Sequence, residues 1–300
     1  MPSQQQIRQH ITERIVTAIE QGVMPWRRPW QTSPNAGRPT NVVSKQPYHG
    51  VNPLLLQIAA LQHGFTSRWW ATYQQWQQLG CQVRKRPVIV DPGQWGTNIV
   101  FCKPCKKTIE DSDTGEARDA SFFLLRYYTV FCADQVDGAE RFQVTEVPGD
   151  GETQPDFAPA EELIAATGAD IRHGGERAFY NISGDYIQLP HRERFGSLGA
   201  YYETATHELA HWCEPRLQYD RQQLGYAMCE LIAEMSACFV SSELGIPQGE
   251  QLENHASYLK SWLDQMRGDA NFIFKASKLA SGTTDFLLAF VREPEPVAVG

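Results

Sequence analysis

The sequence predicts an α+β protein of two domains, the second mainly helical with a small β-sheet, and three observations carry that expectation. A chain of 300 residues, 42% of them apolar, is long enough for two cores. Strand-like runs occupy the first half and a succession of helical segments closes the second. Between them, residues 145–162 (TEVPGDGETQPDFAPAEE) combine Pro, Gly and acidic residues as a linker does, which places one domain at 1–150 and the other at 151–300.

Taken in order, Ile7, Ile11, Ile15 and Ile19 recur at steps of four and mark an amphipathic first helix, without the apolar block of a secretion signal. The stretch from Met24 to Asn41 is rich in Pro, Gly, Ser and Asn and reads as a long loop. Residues 52–63 and 70–79 read as helices, the second ending at Gly80, and 81–90, 97–103 and 121–133 as strands, with a polar hairpin tip at 110–120. After the linker come a helix closed by Gly168, strands in DIRHGG and AFYNISGDYIQLP, and helices at about 197–213, 222–243, 253–266 and 270–290. The longest apolar run, Pro53 to Ala60, is interrupted by Gln57 and falls short of the roughly 18 to 20 residues that span a bilayer, so no membrane partner is expected. Seven cysteines, an odd number with no regular spacing, fit reduced thiols in a cytoplasmic protein.

The net charge of −8 is unevenly spread. Residues 1–109 carry thirteen Lys+Arg against three Asp+Glu, a net of +10, which leaves fourteen against thirty-two, a net of −18, for the remainder. The basic part also holds six of the eight tryptophans: Trp26, Trp30, Trp69, Trp70, Trp76 and Trp95. Cations that neutralise phosphates, interleaved with rings that stack on unpaired bases, suit single-stranded DNA; a Trp-rich core beneath a solvated basic face is the plainer alternative. Arg84, Lys85, Arg86, Lys103, Lys106 and Lys107 form the densest basic cluster. Cys102 and Cys105 make a lone CxxC that would need two more ligands, Cys81 and Cys132, to hold a metal, and free thiols fit better.

The acidic part contains ATHELAHWCE, residues 205–214. On a helix, Leu198, Tyr202, Ala205, Leu209 and Trp212 form an apolar stripe, with His207, Glu208 and His211 on the other side. Histidines at i and i+4 project one turn apart from the same face, so both imidazoles can reach one Zn²⁺, and the intervening Glu208 remains available as a base. CELIAEMSACF then supplies Glu230, nineteen positions after His211, and Glu234 one turn on. Two carboxylates on an otherwise apolar helix are costly to bury unless something positive pairs with them.

HExxH followed about twenty residues later by a second acidic helix resembles the zincin metallopeptidases with a glutamate ligand. The resemblance implies Zn²⁺ held by His207, His211 and Glu230, Glu208 as the catalytic base, and Glu234 as an acceptor that orients one histidine. It also implies that GDYIQLP, residues 184–190, is the edge strand that binds an extended peptide. Tyr226, His255 and Tyr202 are candidates to stabilise the oxyanion. PW at 25–26, PTN at 39–41, YHGVN at 48–52, WATYQQWQQLGCQVRK at 70–85 and YYTVFCADQ at 127–135 are similar to the N-terminal domain of the ArdC antirestriction family of conjugative plasmids. The likeness continues through GDYIQLP, Phe195, YYETATHELAHW, YAMCELIAEM and ASYLKSWL, and departs in Cys229, where relatives carry a second glutamate beside Glu230. That family resemblance implies binding of single-stranded DNA by the first domain, with Arg27, Arg28, Asn41, Tyr48, Asn52, Trp70, Gln75, Trp76, Arg84, Lys85 and Lys103 as the candidate contacts. It implies protection of incoming plasmid DNA from restriction. Two other readings stay open: a DNA-binding shield whose metal is structural, and a peptidase whose first domain binds a protein substrate.

Overall fold

The computed structural model describes residues 3–27, 33–110, 117–144, 157–248 and 256–292, with backbone only at 102–110, 117–124 and 256–257. The expected linker and domain boundary lie mostly outside the described residues.

Helix α1 (Gln4–Glu20) starts at a Ser3 and Gln6 capping box and buries Ile7, Ile11, Ile15 and Ile19, the stripe read from sequence. Helix α2 (Asn52–His63) has the expected bounds, with Pro53 in its first turn and Gly64 at φ 71° closing it. The segment expected as a helix over 70–79 divides in two. Its first residues form β2 (Trp69–Thr72), hydrogen-bonded in parallel to β1 (Thr40–Asn41) on one side and antiparallel to β5 (Ala117–Cys132) on the other. Only then does a Thr72 and Gln75 capping box start α3 (Tyr73–Gln78). The run at 81–90 contributes two strand residues, β3 (Gln82–Val83), paired with β6 (Val136–Asp137). A long hairpin of β5 with β4 (Thr97–Glu110) completes a sheet of order β1-β2-β5-β4.

In the second half, α4 (Ala158–Thr167) ends at Gly168, and β7 (Asp170–His173), β8 (Phe179–Asn181) and β9 (Tyr186–Leu189) form a small sheet of order β7-β9-β8. Helix α5 (Leu198–Arg216) carries HELAH and runs on through Pro215. A short α6 (Arg221–Leu224), capped by Asp220, is separated by Gly225 at φ 76° from α7 (Tyr226–Leu244), so the helix expected from 222 is broken at its start. Helices α8 (Ala256–Gly268) and α9 (Asn271–Leu288) follow. An α+β architecture with a mainly helical second half is therefore observed.

The largest core joins the two halves. Ile7, Ile11 and Ile15 of α1 and Leu54 and Leu55 of α2 share one apolar cluster with Leu231 and Met235 of α7, Trp262 of α8 and Ile273 and Ala276 of α9. Buried ion pairs reinforce the junction: Arg38, with a fully buried side chain, lies 2.9 Å from Asp285 and 3.4 Å from Glu243, and Arg68 reaches the same Glu243 at 2.9 Å.

Candidate metal centre

Every residue of α7 from Met228 to Ser241 is buried, because α5, α8 and α9 pack around it. That enclosure makes its carboxylates informative, since each must meet a positive or donating group. They meet α5 along a layered polar seam. Glu230 lies between the two histidines, with Oε2 3.5 Å from His207 Nε2 and Oε1 3.6 Å from His211 Nε2. The imidazoles stand 5.0 Å apart between ring centroids, and among the described residues one ligand atom from each of His207, His211 and Glu230 lies within 4.8 Å of the others. Two imidazole nitrogens and a carboxylate oxygen at that spacing are a donor set suited to a borderline-soft divalent ion with a coordination position to spare.

His211 is further fixed by Glu214, whose Oε1 lies 2.7 Å from Nδ1, and Glu214 Oε2 is in turn 2.8 Å from Arg221 at the start of α6. This leaves Nε2 of His211 directed at Glu230, as an outer carboxylate does for a ligating histidine. Burial disfavours the His211 imidazolium, yet bonds to Glu214 and Glu230 outweigh it and push the group up to about 9. For Glu230, burial works upward but the two histidines prevail and hold the carboxyl well below its ordinary range. Burial raises Glu208 instead, more than His207 and His211 pull it down, and Glu230 adds to the rise. The Glu208 carboxylate also accepts from the backbone of Tyr180 on β8.

Several expected roles change. Glu234 meets partners from the first part of the chain: its Oε1 accepts from Trp26 Nε1 at 3.3 Å and from Arg27 Nη2 at 3.1 Å, one helical turn away from Glu230. Glu214 has the place expected for it, three residues beyond His211 on the same helix, and that spacing was available in the sequence. GDYIQLP is not an edge strand, because β9 is hydrogen-bonded to β7 and β8 on its two sides; the edge beside Glu208 is β8. Tyr202 is buried against Glu161 and Arg192, apart from the seam. Tyr226 is 61% exposed, bonds Tyr258 at 2.7 Å and also reaches Glu230. His255 lies outside the described residues.

The candidate DNA contacts scatter. Trp70 and Trp76 are 1% and 0% exposed, packed under the sheet and between α3 and β6, so neither ring can stack on a base. Arg27 points inward to Glu203 (2.8 Å) and Glu234, its charge engaged by carboxylates instead of phosphate. Asn52 exchanges two hydrogen bonds with the backbone of Val100 and ties α2 to β4. Asn41, Tyr48 and Gln75 do come together, as Asn41 Nδ2 donates to Tyr48 Oη (3.2 Å) and Gln75 Oε1 (3.3 Å), and burial pushes Tyr48 up to about 12. Arg84 and Lys85 are exposed on the loop after β3. Arg28 and the side chain of Lys103, like those of Cys102 and Cys105, lie outside the described residues. Cys81 and Cys132 are buried and donate to the carbonyls of Gly138 and Ser67. Sequence reasoning missed Phe101 and Tyr128, which are 55% and 43% exposed and in edge contact on the β4–β5 hairpin.

A HExxH helix answered by a glutamate on the next long helix, beside a small three-stranded sheet, defines the second half as a zincin-like metallopeptidase domain; the family model so described matches residues 158–279. The model of the N-terminal domain of anti-restriction factor ArdC matches residues 5–131. The chain belongs to the ArdC antirestriction family. It resembles the metal-free crystal structure of the antirestriction ArdC protein from R388 plasmid with a TM-score of 0.74 and 36% identity, over 94% of this chain and 97% of that one. For the Mn(II)-bound structure of that protein the TM-score is 0.69 at 35% identity, over 95% and 98%. The uncharacterized protein y4eC of Sinorhizobium fredii is 35% identical over 94% of this chain and 92% of its own length. DNA primase TraC of Escherichia coli is 34% identical over 94% of this chain, which spans only 27% of that primase. Among the described residues, no helix is long and apolar enough to cross a membrane.

Proposed function

We propose that the protein is an antirestriction factor that binds single-stranded DNA through its first half and hydrolyses a peptide bond at a Zn²⁺ site in its second. The observation that carries the catalytic part is the convergence of His207, His211 and Glu230 ligand atoms within 4.8 Å, with Glu208 buried beside them. His207 Nε2, His211 Nε2 and a Glu230 oxygen would hold the ion. When bound there, the ion supplies Lewis acidity at the scissile carbonyl and lowers the pKa of the attacking water. Glu208 would take that water's proton and pass it to the departing amine. Glu214 keeps His211 in the tautomer that presents Nε2. The open edge of β8, beside Glu208, can add an extended peptide by backbone pairing.

The DNA-binding part is supported by the +10 charge of residues 1–109, by exposed Arg84, Lys85 and Arg126, and by the rings of Phe101, Tyr128 and Tyr73 at the surface. Cytoplasmic residence agrees with the buried free thiols. The test pairs zinc analysis and a casein digest of the wild type and Glu208→Gln with an antirestriction assay in cells. Full zinc, lost digestion and lost protection in the variant are expected. Full protection by Glu208→Gln would leave the metal a structural part of a DNA-binding shield.

A further inference from the structure

The loop after β3 reads Arg84-Lys85-Arg86-Pro87-Val88-Ile89-Val90, and the amide of Val90 donates to the Pro87 carbonyl at 3.1 Å. Pro87–Val90 is therefore a turn with Val88 and Ile89 at its corners. Those two side chains are 97% and 94% exposed, more than any other large apolar side chain among the described residues. Turn corners favour Gly, Asn, Asp and Pro, whereas β-branched aliphatics are stiff and suit strands. Neither local conformation nor the core explains them.

The turn is anchored at its base. The amide of Arg84 donates to Gln135 O at 2.9 Å, Trp95 Nε1 donates to Arg84 O at 2.9 Å, and the Arg84 guanidinium reaches the Asp134 carbonyl and, at 3.7 Å, the Asp137 carboxylate. Arg86 folds back on the carbonyls of Pro87 (3.3 Å) and Val90. An apolar tip is thus held out on a pinned loop with three exposed cations at its root, Arg84, Lys85 and Arg86, and one acidic neighbour, Asp91, beyond the turn.

The loop lies within residues 1–109, whose net charge is +10, and its cations select a polyanion as the occupant. Apolar side chains at such a tip can enter between neighbouring bases and part the stack. We propose that the Pro87–Val90 turn is a wedge, in which Val88 and Ile89 insert between adjacent bases of single-stranded DNA while Lys85 and Arg86 hold the flanking phosphates. The proposal rests on the DNA-binding reading above and assigns it a contact that replaces the buried Trp70 and Trp76.

The test uses the full chain and a short oligonucleotide with 2-aminopurine between adenines, whose fluorescence rises on unstacking. Wild type should bind and brighten the probe. The Val88→Ser, Ile89→Ser double variant should keep its Tm, since both side chains are exposed, lose most of the brightening and bind about tenfold more weakly with an unchanged salt slope. Lys85→Gln should keep the brightening at low salt and lower the salt slope by about one. Wild-type brightening and affinity in the double variant would overturn the wedge, as would loss of binding to phosphatidylserine vesicles with oligonucleotide binding intact. A wild type that does not bind the oligonucleotide would instead remove the DNA-binding reading on which the wedge stands.

Discussion

Arg27 Nη2 lies 2.8 Å from Glu203 Oε1, so a cation from the basic first 109 residues ends against the helix that carries the two histidines. Glu203 is one turn before His207 on α5, and Glu234, the other partner of Arg27, is one turn after Glu230 on α7. The relationship divides the acidic residues of the seam into those that face the candidate metal position and those that hold the two halves together.

The first prediction separates these carboxylates. Glu230→Ala should abolish or greatly weaken zinc binding, because two imidazoles alone then remain. Glu214→Ala should weaken it by about 10 to 100-fold, as loss of an outer partner does. Glu234→Ala should leave zinc affinity nearly unchanged but destabilise the fold by about 1 to 3 kcal/mol, since the Trp26 indole and one face of Arg27 lose their acceptor. Zinc titration and thermal unfolding on the three variants check this; zinc lost with Glu234 but kept with Glu230 would reverse the assignment.

A second prediction concerns chelation. His207 and His211 already pair with Glu230, so the protein should stay folded in excess EDTA. Added zinc should then raise the Tm, by an amount equivalent to about 2.7 kcal/mol at a hundred times Kd, and Glu230→Ala should lose that increment. Unfolding on chelation would mean that the ion supports the fold itself.

A third prediction sets tryptophans against cations. Trp76→Ala should cost about 3 to 5 kcal/mol of stability, because the ring is fully buried and its Nε1 bond to the Phe131 carbonyl is lost with it. Lys85→Ala should leave stability within about 0.5 kcal/mol and reduce DNA affinity. Urea titration and anisotropy measured on both variants distinguish the two behaviours.

A fourth prediction concerns acid. Hydrogen bonds from Arg192 lower the Glu161 carboxyl against a smaller upward pull of burial, and Tyr202 lowers it further. A depressed folded value means stability that is present above the carboxyl's ordinary titration and lost as pH falls through the lowered one. Glu161→Gln should therefore unfold at a lower Tm than wild type at neutral pH, and the two curves should converge in acid. Curves parallel down to acid pH would show that the pair adds nothing.

Much of the second half was legible from sequence because its signals are local. HExxH fixes two imidazoles on one helical face by spacing alone, and Gly168 closes α4 where the sequence placed its end. What failed depended on partners distant in the chain. Trp69–Thr72 looks helical until β1 and β5 pair with it on both sides. Trp70 and Trp76 carry no sequence mark that tells a buried ring from a stacking platform, and Arg27 none that says it meets Glu203 instead of phosphate. Glu214 was legible but overlooked beside Glu234, since both stand one turn from a candidate ligand.

The apolar cluster shared by α1 with α7, α8 and α9 bears on how the protein is made. The isoleucine stripe of α1 leaves the ribosome about 250 to 270 residues ahead of its partners Trp262, Ile273 and Ala276. At about 5 to 20 residues per second, that separation is roughly 15 to 50 seconds. For that interval the nascent chain carries a greasy helix with only part of its cluster to lie against, a binding site for chaperones and an opportunity for two growing chains on one messenger to entangle. Slower translation of the second half should lengthen the exposure and lower the soluble yield.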